Sequence, residues 1–256
     1  PVPTPHSPSS RENPTSGGEM KGGDVEAGTA APYPGTTESP ELRWALIRKI
    51  YVVLCLQLLL TAVVAVVVVK VRAIPHFFVS SYAGLGLYIF ILIFPFIVLC
   101  PLHIYRQKHP VNLLLLGVFT VAISFSVGLT CAFTSGKVIL QAGILTIVVV
   151  LSLTAYTFWA ARRGKDFSFL GPFLFASLMI LLVFGFIQIF FPLGKLSHMI
   201  YGALAALIFS GYIVYDTGSI IKRYKYDEYV WAAVTLYLDI INLFLGLLTL
   251  FRACDN

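Results

Sequence analysis

From residue 50 onward the chain is a succession of long apolar runs separated by short polar breaks. Seven runs reach the roughly 20 residues that a helix needs to cross a bilayer core of about 30 Å. They are Ile50–Val69, Phe78–Leu99, Val111–Phe133, Val138–Ala161, Phe167–Phe191, Met199–Ile221 and Tyr229–Phe251. Lipid offers backbone N–H and C=O groups no partners, so runs of this length predict helices that satisfy their own. The breaks are a few residues long, which predicts a compact bundle with successive helices antiparallel. The fold class is therefore all-α: a polytopic membrane domain over residues 44–256, with the lipid bilayer as its main partner.

The first forty residues break the pattern. They hold eight of the fourteen prolines together with many Ser, Thr and Gly, a composition that cannot bury enough apolar surface to fold. Residues 1–43 are expected to form a disordered cytosolic tail. Without a charged start, an apolar core and a cleavage site they are not a secretory signal. Met20 offers a translation start, Met-Lys-Gly-Gly-Asp, which leaves residues 1–19 either native or upstream sequence.

Composition agrees with the runs: 58% of the 256 residues are hydrophobic, more than one soluble core could enclose. The net charge of +6 reads as a topology signal. Eleven basic residues flank the spans on one side: Arg43, Arg48, Lys49, Arg106, Lys108, Arg162, Arg163, Lys165, Lys222, Arg223 and Lys225. Five lie on the other: Lys70, Arg72, Lys137, Lys195 and Arg252. By the positive-inside rule the N-terminus is cytosolic and, after seven spans, the C-terminus is not. No clustered basic face or reading motif points to nucleic acid.

Against this apolar background two residues stand out. Of the five acids between Trp44 and Cys254, Asp166, Asp227 and Glu228 lie in basic connectors, whereas Asp216 and Asp239 lie inside the sixth and seventh runs. A charge at that depth costs about 2.5–3.5 kcal/mol on insertion scales and normally marks ion, proton or substrate handling. In the seventh run Ala232, Thr235, Asp239, Asn242, Gly246 and Thr249 follow each other at intervals of three and four, one stripe of a helix that must face protein or water. Gly202, Ala206 and Ser210 in the sixth have the small-residue spacing of closely packed helices. At a rise of about 1.5 Å per residue, Asp216 lies roughly 9 Å from Lys222 and Asp239 roughly 16 Å from Glu228. Tilt, or a helix break near Gly218, would have to bring the two acids level.

If they meet, they cannot both ionise cheaply, and the pair titrates as one unit that shares a proton. Deprotonated, it is a hard oxygen site suited to transient Ca²⁺. A nearby arginine could compete with the cation for the carboxylates. The four cysteines, Cys55, Cys100, Cys131 and Cys254, have neither metal nor disulfide spacing and read as helix filler. The five histidines are scattered, and no metal site or bound cofactor is assigned to them.

The acids sit in a recognisable setting. The strings Ile213-Val214-Tyr215-Asp216-Thr217, Glu228-Tyr229-Val230 and Leu236-Tyr237-Leu238-Asp239-Ile240-Ile241-Asn242-Leu243-Phe244 closely resemble the Bax inhibitor-1 motif family. Glu41-Leu42-Arg43, Arg48-Lys49-Ile50-Tyr51, Pro110-Val111-Asn112-Leu113 and Lys165-Asp166-Phe167-Ser168 look like its Lifeguard branch, and the segment from Tyr33-Pro34-Gly35 to Glu41 looks like plant members. The resemblance implies six helices around a central seventh. It also implies a pH-sensitive Ca²⁺ leak across an internal membrane such as the endoplasmic reticulum or Golgi, coupled to suppression of cell death and to stress responses. Calcium ions and protons would then be its small partners, beside membrane-protein partners. The family's paired aspartates match Asp216 and Asp239. Its basic latch at the end of the second helix has Arg106 as nearest match.

Three other readings compete. A membrane scaffold would act on cell-death or receptor proteins by contact alone. An intramembrane aspartyl protease would use the same two acids, but its Gly-x-Gly-Asp is replaced here by Tyr237-Leu238-Asp239, so no enzyme is expected. A seven-helix receptor conflicts with the charge bias, and the seventh run has no lysine for a retinal Schiff base.

Overall fold

A computed structural model describes residues 39–71, 73–80, 82–105, 108, 110–191 and 193–255. The described residues form one compact unit that is helical with no strand. The expected tail over residues 1–38 and the Arg106 latch lie outside the described residues.

Helix α1 spans Pro40–Lys70, ten residues longer at its start than the apolar run, so the tail boundary drawn at residue 43 is corrected. The start signal is Ser39-Pro40-Glu41. Proline is tolerated in the first turn because its missing N–H has no helical partner there, and Glu41 faces the positive end of the helix dipole. A short helix α2, Ala73–Ser80, follows, and α3 then spans Tyr82–Ile104. The second membrane helix thus begins after Phe78, not at it. Hydropathy could not separate the two apolar helices because the break between them is itself short and weakly polar.

The remaining helices keep close to their apolar runs. They are α4 (Val111–Ala132), α5 (Gly136–Arg162), α6 (Leu170–Phe190), α7 (Lys195–Lys222) and α8 (Tyr229–Asp255), the last entered through a 3₁₀ turn at Tyr226–Glu228. Helix α5 ends where Gly164 takes φ +77°, letting Gly164 N–H and Lys165 N–H reach the Ala161 and Ala160 carbonyls. Among the described residues seven helices are long and apolar enough to cross a membrane. Their outward faces carry large exposed apolar side chains such as Leu59, Val63, Ile147, Leu151, Phe173 and Ile180. Patches of this extent require hydrocarbon around them, so the protein is an integral, multi-pass membrane protein.

Helix α8 is the centre. It packs most extensively on α7 and also against α5, α1 and α4. Its apolar window is 56% buried against 11% for α6, which leans on α7 from outside. The α7–α8 seam is tight because of two glycines: a Cβ on Gly202 would stand 2.7 Å from the Gly246 carbonyl oxygen, and one on Gly246 would stand 3.0 Å from Ala205 Cβ. The seam extends the small-residue pattern seen in the sixth run to its partner helix.

Candidate functional site

Asp216 on α7 and Asp239 on α8 lie beside one another across this seam, close enough for their carboxyl groups to interact. A hydrogen bond between two carboxyls would require one of them to keep its proton and donate it to an oxygen of the other. The depth mismatch is not removed by a helix break, since α7 is continuous through Gly218 to Lys222. With six residues beyond Asp216 and ten before Asp239, level acids place the start of α8 about 6 Å, one helical turn, beyond the end of α7. The connector and its 3₁₀ turn supply that offset.

Asp239 is only 6% exposed, and its Oδ2 is buried without a hydrogen-bond partner. Asp216 is half-buried. The Thr235 hydroxyl lies within reach of Asp216 and 3.1 Å from the carbonyl of Ala232. It has one proton to give and so serves one acceptor at a time. Tyr212, one turn before Asp216, lies close to both acids. Asn242 and Thr249, the other polar members of the stripe, donate to their own helix at Leu238 O and Leu245 O, both at 2.8 Å. Thr235, Asn242 and Thr249 thus all donate to their own helix, and Thr235 also lies close to Asp216. Among the described residues no third His, Cys, Asp or Glu completes a metal-ligand cluster.

The connector end of the site holds a residue that sequence reasoning missed. Tyr224 packs its ring against the main core, and its hydroxyl lies within hydrogen-bonding reach of Thr235. Burial first, and then the nearby Asp216, pushes this phenol up to about 12, so it remains a neutral group. Arg43, a topology charge and part of the Glu41-Leu42-Arg43 motif in the sequence, is 2% exposed, and its Nη1 donates to Tyr224 O at 2.5 Å and to Ile220 O at 3.5 Å. On the outer side of α7, Arg223 donates to Tyr215 OH at 3.3 Å and to Ser168 Oγ, and Lys222 donates to Lys165 O at 2.6 Å. Ser168 also holds the Asp166 carboxyl below the usual carboxylate range, with Lys222 and Arg223 adding to the effect.

A second polar cluster lies on the opposite face of α8. Tyr237 OH and Thr61 Oγ1 are 2.8 Å apart, Ser124 donates to Thr61 at 3.0 Å, and one turn away Gln57 Nε2 donates to Thr120 Oγ1 at 3.1 Å. Its sequence signal was the four-residue spacing of Gln57 with Thr61 and of Thr120 with Ser124, each inside an apolar run.

Comparison with known proteins shows the family. The family described as Inhibitor of apoptosis-promoting Bax1 matches residues 43–256. The chain belongs to that Bax inhibitor family. Protein LIFEGUARD 2 of Arabidopsis thaliana is 64% identical over 91% of this chain and 98% of its own length. Protein LIFEGUARD 4 of the same plant is 67% identical over 90% of this chain and 93% of its own. The Golgi anti-apoptotic protein of Vaccinia virus (strain Lister) is 40% identical over 85% of this chain and 89% of its own. The Lifeguard resemblance read from short motifs thus extends across the whole membrane domain of this Bax inhibitor family protein.

Proposed function

We propose that this protein restrains programmed cell death and stress responses from an internal membrane, acting as a pH-sensitive leak for Ca²⁺. The supporting observation is that Asp216 and Asp239 lie side by side inside the bundle. While the pair holds a proton, a bond through it ties α7 to α8. Loss of that proton leaves two like charges at the seam, which repel, and several hard oxygens, which favour a divalent cation. The partnerless Asp239 Oδ2 is one such oxygen. Arg106, on this reading, competes for the same carboxylates when the path is shut. The names of the relatives, Lifeguard proteins and a Golgi anti-apoptotic protein, support both the survival role and the endomembrane setting.

The decisive experiment is Ca²⁺ flux into sealed vesicles carrying the purified full chain, measured across pH. The expected outcome is flux that changes with pH in the wild type. Absence of flux from correctly folded protein would leave action by contact as the function. Two acids sharing a proton are also the constellation of an aspartyl protease. Incubation with a transmembrane substrate is expected to yield no cleavage, because the Gly-x-Gly-Asp of that class is replaced here by Tyr237-Leu238-Asp239.

A further inference from the structure

The connector between α7 and α8 is pinned from one side by the first half of α1. Arg43 directs its guanidinium at the end of α7, donating to Ile220 O and, beyond the helix, to Tyr224 O. Carbonyls there have no intrahelical partner and carry the negative end of the helix dipole, so a buried cation is doubly favoured. Two turns further along α1, Lys49 places its ammonium 3.6 Å from the centre of the Tyr229 ring and 4.8 Å from that of Tyr226. The segment from Tyr224 to Tyr229 is thus held at both ends by cations of one helix.

What the segment lies beside is the acid pair. Tyr224 lies close to Thr235 and Asp216, and Asp216 lies close to Asp239. The Tyr224 ring packs against the main core, whereas its chain neighbours Arg223 and Lys225 are exposed. We propose that Tyr224 is the gate over the Asp216–Asp239 pair and that Arg43, holding the Tyr224 carbonyl, is the positioning residue that keeps it shut. Freeing the first turn of α1, Pro40–Arg43, releases that carbonyl, lets the ring lift, and opens the pair to water and cations. The N-terminal end of α1 thereby becomes the control point of the site, without being part of the path itself. The inference rests on the acid pair being the functional site, and it can be tested without any ion movement.

The test is labelling of Asp216 and Asp239 in the full chain in lipid nanodiscs, with a water-soluble carbodiimide plus an amine and, separately, with a membrane-soluble carbodiimide. Labelled peptides are quantified by mass spectrometry. The ratio of the two labelling rates reports access from water independently of how far the acids are protonated. Arg43→Ala is expected to raise that ratio about ten-fold or more, the change in an opening equilibrium expected on losing one charge-assisted hydrogen bond, and Tyr224→Ala, which removes the ring itself, is expected to raise it as well. Tyr224→Phe, which keeps the ring, and Arg43→Lys, which keeps a donor, should stay closer to wild type. Should Arg43→Ala fail to give monodisperse protein, the contrast between Tyr224→Ala and Tyr224→Phe decides the matter. An unchanged ratio in Tyr224→Ala overturns the gate. A raised ratio in a protein that carries no Ca²⁺ keeps the gate and removes the leak, so the two failures are distinguishable.

Discussion

At the scale of single residues, the central helix carries two kinds of polar side chain for two purposes. Asp239 faces α7 and lies beside Asp216, whereas Tyr237 faces α1 and α4 and is wholly buried among hydroxyls. Asp216→Asn and Asp239→Asn should each flatten the pH dependence of Ca²⁺ flux between about pH 5 and 8, since an amide keeps the shape but cannot titrate. The double variant should do little more than either single one, as expected of coupled groups. Independent, additive effects in the flux assay would disprove the shared proton. Tyr237→Phe should instead leave the pH response intact and lower stability by about 0.5–1.5 kcal/mol, read from thermal unfolding in detergent. The acids were legible because an unneutralised charge in an apolar run has few innocent explanations. Tyr237 was not, because tyrosine is common in apolar helices and only its neighbours reveal the bond.

At the scale of helices, function depends on how closely α7 and α8 approach. Gly202 sits against backbone atoms, with the Gly246 oxygen and the Leu250 nitrogen each 2.7 Å from the site of an added Cβ. Backbone cannot move aside as a flexible side chain can. Gly202→Ala should therefore separate the helices near the seam, cost about 1–3 kcal/mol in thermal unfolding, and weaken the pH response of flux. Gly143→Ala on α5, where an added Cβ meets open space, is the matched control and should be neutral or slightly stabilising in the same measurement. The connector between α5 and α6 adds a smaller effect. Asp166, held below its ordinary value by Ser168, favours the folded state at neutral pH, and this contribution is lost as pH falls through that depressed value. Asp166→Asn should remove that acid limb from a pH-stability profile measured by thermal unfolding, with only a small change at neutral pH because the group is exposed.

At the scale of the whole molecule, the open question is orientation. Eleven basic residues against five predict that a tag before Trp44 is cytosolic and a tag after Asn256 is not. Protease treatment of sealed vesicles should remove the first tag and spare the second. The burial of Arg43 takes one charge out of the count without changing its sign, since ten against five still favours the same side. Orientation also bears on mechanism, because Arg43 and the connector lie at the same end of the bundle as the start of α1. If that end is cytosolic, as the charges predict, the proposed gate opens to the cytosol.

The apolar runs alone determined the number of spanning helices, their antiparallel order and the depth of the two acids, because burying a backbone in lipid leaves a run of twenty apolar residues little choice but helix. They were silent where no such penalty applies: the start of α1 at Pro40, written in capping chemistry, and the split of α2 from α3, hidden by a weakly polar break. Only tertiary structure decided that Asp216 and Asp239 meet, because that depends on an offset of about one helical turn between α7 and α8 which the connector sets. It also decided that Arg43 is a buried hydrogen-bond donor and not a surface charge. Its partners lie 177 and 181 positions away in the chain, and no local pattern encodes a contact across that distance.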